Sequence, residues 1–185
     1  MEEDLELVQQ VRAGARQAYA GLVRRHQARV RGYCLGVLGN AADADDAAQE
    51  IFLKAYRGLA GFRGGARFST WLCRIAINHC RDLLRKRAGR REESWDALIE
   101  AEGEGLEART AVPPAGRLSE ERRRQLYRLL AALPAGAREV LILREGQGLR
   151  YEEIAAVLGC SLDGVKARLK RARQAARERK EARDD

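Results

Sequence analysis

Aromatic residues make up only 5 % of the chain, and its 185 residues include just three prolines, two histidines and four cysteines. So few rings, set against abundant Ala, Leu and Arg, argue against sheets and for an all-α fold. The cysteines, Cys34, Cys73, Cys80 and Cys160, form no CxxC pair and lie scattered through helical patterns. That excludes a stapled secreted scaffold and fits a reducing cytoplasm. The N-terminus, MEEDLELVQQ, is acidic and lacks the apolar core of a signal sequence, and no apolar run approaches the ~20 residues of a membrane span. The chain is therefore predicted to be cytoplasmic, with no membrane insertion.

Catalysis and metal binding are poorly provided for as well. Cys73 and Cys80 lie seven apart on one helical stretch, and His79 adjoins Cys80 in sequence but falls on another face. A structural zinc site needs four convergent ligands, and isolated cysteines on helices serve mostly as packing. No catalytic residue, metal or cofactor is predicted.

What the chain does have is charge. Charged residues make up 34 % and hydrophobic ones 45 %, with a net charge of +8. A basic excess suits a polyanionic partner, because Lys and Arg that neutralise phosphates release condensed counterions. It bears on function only where the charge gathers on particular helix faces.

Apolar residues recur at helical spacing from Asp4 to Leu38, with a break at Gly14 and a stop at Gly39-Asn40. A third helix is predicted from Asp43, as N-cap, to Leu59, burying Ala48, Ile51, Phe52, Ala55 and Leu59. After a loop over Gly61 to Phe68, a fourth helix from Ser69 to Arg87 is predicted to bury Leu72, Ile75, Ala76, His79 and Leu83. Periodicity then fades, Glu and Gly accumulate, and Pro113-Pro114 interrupts any helix. Two small helical domains, 1–88 and 119–185, joined by a flexible linker over 89–118, are therefore expected. In the second, Ser119 is placed to cap a helix with Leu126, Leu129, Leu130 and Leu133 as its stripe. Pro134 and Gly136 end it, and a short helix over Arg138 to Arg144 follows.

From Tyr151 the pattern becomes a helix-turn-helix. A short helix ends at Gly159, Cys160-Ser161-Leu162 makes the turn, and Ser161 caps a second helix. Ile154 and Leu158 face inward, Ala155 allows close approach, and Val165, Leu169, Ala172 and Ala176 form the second buried stripe. Lys166, Ala167, Lys170, Arg171 and Gln174 then point outward, as on a helix entering the major groove, with Arg168 and Arg173 flanking them. The outward set is assigned to base edges and the flanking arginines to phosphates.

The first domain carries two further faces. Opposite its core, the Ser69 to Arg87 helix presents Arg74, Asn78, Arg81 and Arg85, with Trp71 one turn before Asn78. A ring beside arginines suits unstacked bases, and the basic loop Arg63-Gly-Gly-Ala-Arg67 is placed to close around one. Trp71 is equally open to a plain packing role at this stage. The Asp43 helix instead shows Asp46, Gln49, Glu50 and Arg57 around Leu53, an apolar residue amid acids that hints at a protein partner.

Taken together, five blocks resemble the extracytoplasmic-function sigma factors. They are Tyr19 to His26 (YAGLVRRH), Gly39 to Tyr56 (GNAADADDAAQEIFLKAY), Phe62 to Asn78 (FRGGARFSTWLCRIAIN), Leu133 to Arg144 (LPAGAREVLILR) and Tyr151 to Arg173. The resemblance implies a factor that binds the RNA polymerase core, directs it to promoters and helps open the DNA. It implies that Asp46, Gln49, Glu50 and Leu53 grip the coiled coil of the largest subunit, and that the second domain meets the flap region. It further implies that Arg63, Arg67, Phe68, Ser69, Trp71, Arg74, Asn78 and Arg81 serve the melted minus-ten element. Lys166, Ala167, Arg168, Lys170, Arg171 and Arg173 would serve the duplex minus-thirty-five element. An anti-sigma factor is an implied partner, and the acidic linker residues Glu92, Glu93, Asp96, Glu100, Glu102 and Glu104 would mimic nucleic acid in a positive channel. Two departures stand out: Asp163-Gly164-Val165 where Gly-Thr-Val is common, and Arg150 where Ser or Thr caps. The alternative is a stand-alone helix-turn-helix transcriptional regulator, which would leave the first domain without a role.

Overall fold

A computed structural model describes residues 2–87 and 120–184, and every regular element among them is helical. Helices α1 (Glu2–Arg12), α2 (Ala18–Leu38), α3 (Ala41–Gly58) and α4 (Phe68–Arg87) form the N-terminal unit. The C-terminal unit holds α5 (Glu120–Ala131), α6 (Ala135–Leu141), a π turn over Ile142–Gly146, α7 (Tyr151–Leu158) and α8 (Leu162–Asp184). The linker, with its acidic residues, and Ser119 lie outside the described residues.

Helix ends follow local chemistry, with shifts from the sequence expectation. Asn40, not Asp43, caps α3: its extended backbone lets Oδ1 accept the Asp43 N–H at 2.8 Å. Asp43 sits three residues in, where the Asn40 amide donates to it and Arg87 pairs with it. The α6 helix begins at Ala135, so Pro134 opens it and Gly136 lies buried within it. Proline is tolerated there because the first turn has no intrahelical use for its missing N–H. At α7, Glu153 accepts the Arg150 N–H at 2.9 Å, which supplies half of a capping box without a Ser or Thr. Ser161 caps α8 as expected, accepting the Gly164 N–H at 3.1 Å.

The apolar core runs through both units. In the first, Leu22, Tyr33, Leu35, Leu38, Ile51, Leu72 and Ile77 are fully buried; in the second, Leu133, Val140, Leu143, Ile154 and Leu169 are. In the helix-turn-helix, Ile154 of α7 and Val165, Leu169 and Ala172 of α8 are buried as expected, but Val157 takes the inward place expected of Leu158, and Leu158 and Ala176 are half-buried. Gly159 turns the chain with φ 67°, a left-handed conformation that other residues avoid.

The α4 helix departs most from its periodicity. Its fully buried residues are Phe68, Thr70, Leu72, Cys73, Ala76, Ile77 and Cys80, whereas Ile75, His79 and Leu83 are half-buried. The cause is a second neighbour. Besides resting on α2 and α3, the helix is covered along one flank by α7 of the C-terminal unit.

Candidate nucleic-acid and polymerase interfaces

The outer face of α3 carries an apolar patch in an acidic frame. Leu53 is 48 % and Tyr56 38 % exposed, with Asp46, Gln49 and Glu50 exposed around them. The Tyr19 hydroxyl donates to the Phe52 carbonyl at 2.6 Å, and its ring meets Tyr56 edge-on at 4.9 Å, which fixes that surface from behind. Tyr56 escaped the sequence reading because its spacing fits core and rim equally well.

On α4, the Trp71 ring both packs and lines an open cleft. Its ring lies 5.3 Å from Phe62 and 5.6 Å from Phe68, closing an aromatic cluster that extends to His26. Its remaining face lines a cleft of about 490 Å³ with Lys54, Gly58, Gly61, Ile75, Asn78, His79 and Asp82. The Lys54 ammonium lies 2.7 Å from His79 Nδ1. Burial, and then Lys54, hold the His79 pKa below the ordinary imidazole range, so the ring is the acceptor. Arg63, Arg67, Arg74 and Asn78 are exposed, and of these Asn78 lines the cleft. Phe68, by contrast, is buried at 2 % and supports the cluster without reaching the surface.

The α8 helix presents the outward row. Lys166, Ala167, Lys170, Arg171, Arg173 and Gln174 are exposed and Arg168 is half-buried. Lys166 pairs with Asp163 at 3.1 Å, and Arg173 with Glu145 at 2.8 Å. A groove of about 380 Å³ runs beside the row between Tyr151 and Arg177.

Ser69 and Arg81 do not join these exposed faces. Ser69 is half-buried near Gln147 of the other unit. Arg81, its side chain only 13 % exposed, donates to Glu139 of α6 from Nε at 3.2 Å and Nη2 at 2.9 Å. The Tyr33 hydroxyl donates to the same carboxylate at 3.1 Å. Nearby, Arg29 donates to the Gln147 carbonyl, the Gln147 amide returns a bond to the Arg29 carbonyl at 3.2 Å, and Thr70 donates to Glu153 at 3.1 Å. Sequence reasoning missed this network; the one available signal was Arg138-Glu139 inside an otherwise apolar stretch. Among the described residues no group of three or more His, Cys, Asp or Glu is placed to hold a metal, and no helix is long and apolar enough to cross a membrane.

Residues 22–90 match the family Sigma-70 region 2, and residues 123–175 match Sigma-70, region 4, together more than half of the chain. The RNA polymerase sigma-H factor of Pseudomonas aeruginosa is 38 % identical over 178 residues, covering 94 % of this chain and 92 % of that protein. The ECF RNA polymerase sigma-E factor of Escherichia coli is 40 % identical over 176 residues, covering 93 % and 91 %. This chain belongs to the extracytoplasmic-function sigma factors. As a sigma factor it binds the RNA polymerase core, directs it to promoters and helps open the DNA. Membership gives the N-terminal unit the role that a stand-alone regulator would leave empty. Solved structures agree over both units. CnrH in complex with the cytosolic domain of CnrY superposes with TM-score 0.70 at 29 % identity, over 97 % of this chain and 98 % of that one. The sigma factor RpoE in complex with the anti-sigma factor NepR from Bartonella quintana gives 0.69 at 25 % identity, over 86 % and 94 %.

Proposed function

We propose that residues 1–88 and 119–185 are the two ends of one promoter grip, joined by the linker 89–118, with the work divided among three surfaces. Asp46, Gln49, Glu50 and Leu53, joined by Tyr56, dock on the polymerase coiled coil. What supports this is an apolar centre with an acidic rim, the usual build of a protein interface. Lys166, Ala167, Lys170 and Arg171 face base edges of the minus-thirty-five duplex, and Arg168 and Arg173 hold its phosphates.

The minus-ten strand is captured at the Trp71 cleft, which Asn78 lines, with the exposed arginines Arg63, Arg67 and Arg74 available to hold its phosphates. This cleft is the observation that carries the proposal. A base that leaves the duplex loses its stacking, and a ring of this kind returns about 1–3 kcal/mol for each base stacked on it. Melting thus proceeds by binding, with no covalent chemistry in this chain. Burial pushes the Cys73 thiol up to about 12, and the Cys34 hydrogen bond together with burial raises Cys80 further, so neither thiol is a nucleophile at neutral pH.

Two partners outside the polymerase and promoter complete the proposal. The structural relatives are held by CnrY and by the anti-sigma factor NepR, and an anti-sigma factor is proposed for this chain as well. Its place of action is the cytoplasm. The test compares holoenzymes carrying Trp71→Ala with Asn78→Ala against Lys170→Ala with Arg171→Ala. The first pair is expected to reduce permanganate reactivity of the opened bases while sparing closed-complex binding, and the second to reduce both. Equal losses in both assays from the first pair would refute the assignment.

A further inference from the structure

Helix α1 takes no part in the three surfaces above, yet it supports the loop between α3 and α4 at three places. At the start of the loop, the Arg12 guanidinium donates to the Ala60 carbonyl, in the turn over Leu59–Gly61. At its middle, Gly64 bends the chain with φ 73°, and among the described residues a Cβ there would meet one side chain, Leu5, at 4.0 Å. At its end, Asp4 lies 3.0 Å from Nε2 of His26, whose ring is 5.3 Å from that of Phe68, the first residue of α4. Leu5 and Arg12 are seven positions apart, so they share one flank of α1 and stand about 10 Å apart along it. The helix is itself anchored: Val8 is buried, and a Cβ at Gly21 of α2 would come within 3.1 Å of Leu7.

The loop has little else to hold it. Arg63, Gly64, Gly65, Ala66 and Arg67 are all exposed, and a Cβ at Gly65 would meet nothing within 4 Å. Among the described residues, 63–66 make no backbone hydrogen bond. Two adjacent glycines give such a segment the widest conformational freedom a chain can have. A loop that must be ordered at the moment of binding weakens the complex by the entropy it loses.

We propose that α1 braces the strand-capturing loop, with Leu5 and Arg12 as positioning residues for promoter opening. The proposal rests on the assignment of this loop and the Trp71 cleft to the minus-ten strand. Arg12 fixes where the chain leaves the Leu59–Gly61 turn, and Leu5 supports the left-handed bend at Gly64. Arg63 and Arg67 are thereby held near one geometry before a strand arrives. Asp4 extends the same support to the aromatic cluster, since His26 packs on Phe68 and Phe68 lies 5.6 Å from Trp71. Leu5 is 36 % exposed and Arg12 is exposed, so their removal takes little from the core.

The test is Leu5→Ala with Arg12→Ala in the full chain, which removes both contacts and keeps α1, because alanine is the best helix former. Tryptic cleavage after Arg63 and Arg67, mapped by mass, is expected to run about fivefold faster, since the protease samples the opened segment. Holoenzyme carrying the double variant is expected to bind a fork promoter with an already unpaired minus-ten strand about three- to tenfold more weakly. Its affinity for the polymerase core and for a duplex minus-thirty-five fragment should be unchanged. Leu5→Met with Arg12→Lys should restore most of both losses. Faster cleavage without weaker strand binding overturns the brace, as does weaker strand binding without faster cleavage, no change in either, or a parallel loss of core affinity. A loss of strand binding with faster cleavage in the α1 variant, but no loss in Trp71→Ala with Asn78→Ala, keeps the brace and moves strand capture from the cleft to the loop.

Discussion

Arg81 of α4 and Glu139 of α6, 58 positions apart in the chain, meet through two hydrogen bonds of 3.2 and 2.9 Å in a nearly dry contact between the two helical units. Both lie on helices that carry or support the proposed DNA surfaces, so the pair ties the state of one surface to the position of the other.

Breaking that pair on one side is expected to destabilise the closed chain more than removing it altogether. Removing one member of a buried ion pair with no escape costs about 3–5 kcal/mol. Here the units can part and return the orphaned charge to water, so Arg81→Met is expected to cost about 1–2 kcal/mol. The double variant Arg81→Met with Glu139→Leu should cost less than the sum of the two singles. Urea unfolding of all four proteins in a double-mutant cycle measures the difference; strict additivity would mean the pair is energetically silent.

Asn40→Ala should cost about 1 kcal/mol, since it strips the cap from α3 and leaves the Asp43 N–H without its side-chain acceptor. Asn40→Ser should recover most of the loss. The measurement is a shift in urea midpoint at constant slope, accompanied by weaker core binding if α3 is the docking helix.

Acidification below neutrality should destabilise the fold through the two histidines. His26 is buried, packs 5.3 Å from the Phe68 ring and lies 3.0 Å from Asp4; burial lowers its pKa more than Asp4 raises it. His79 is lowered in the same direction, by burial first and then by Lys54. Because each pKa is lower in the folded chain, the unfolded chain binds more protons in this window. Their contribution is present above roughly pH 6.5 and is lost as pH falls through the lowered values. Thermal midpoints between neutral and mildly acidic pH should fall, with a shallower fall for His26→Gln. Identical slopes for the two proteins would show that His26 contributes nothing.

Glu145→Gln is expected to strengthen promoter binding by the holoenzyme about two- to fivefold, because Glu145 now holds Arg173 at 2.8 Å and competes with a phosphate for it. Arg171→Ala, which leaves that pair alone, should weaken binding while leaving the slope of log affinity against log salt nearly unchanged, as for a base-edge contact. A slope reduced by about 0.9 would reassign Arg171 to a phosphate.

Much of this protein was legible in the sequence. The helices, the Gly159 turn, the Ser161 cap and the outward row Lys166, Ala167, Lys170 and Arg171 follow from residues a few positions apart, because helical hydrogen bonds and helix faces repeat over three to four residues. Five ordered blocks were enough to suggest the family that the comparisons then established. Where local rules failed, the reason was a nearby alternative or a distant partner. Asn40 and Asp43 are both good caps, and only backbone geometry chose between them. Trp71 suited packing and strand capture alike, and its ring both closes the aromatic cluster and lines the cleft.

The sequence by itself determined the helical architecture, the charge of each face and the membership in the sigma factors. Only the tertiary structure decided which faces are free. Thr70 meets Glu153 across 83 positions and Tyr33 meets Glu139 across 106, separations over which no periodicity carries information. Hydrophobic spacing reports that a helix has a buried side; it does not report that a second unit has covered another flank and drawn Arg81 out of solvent to pair it with Glu139.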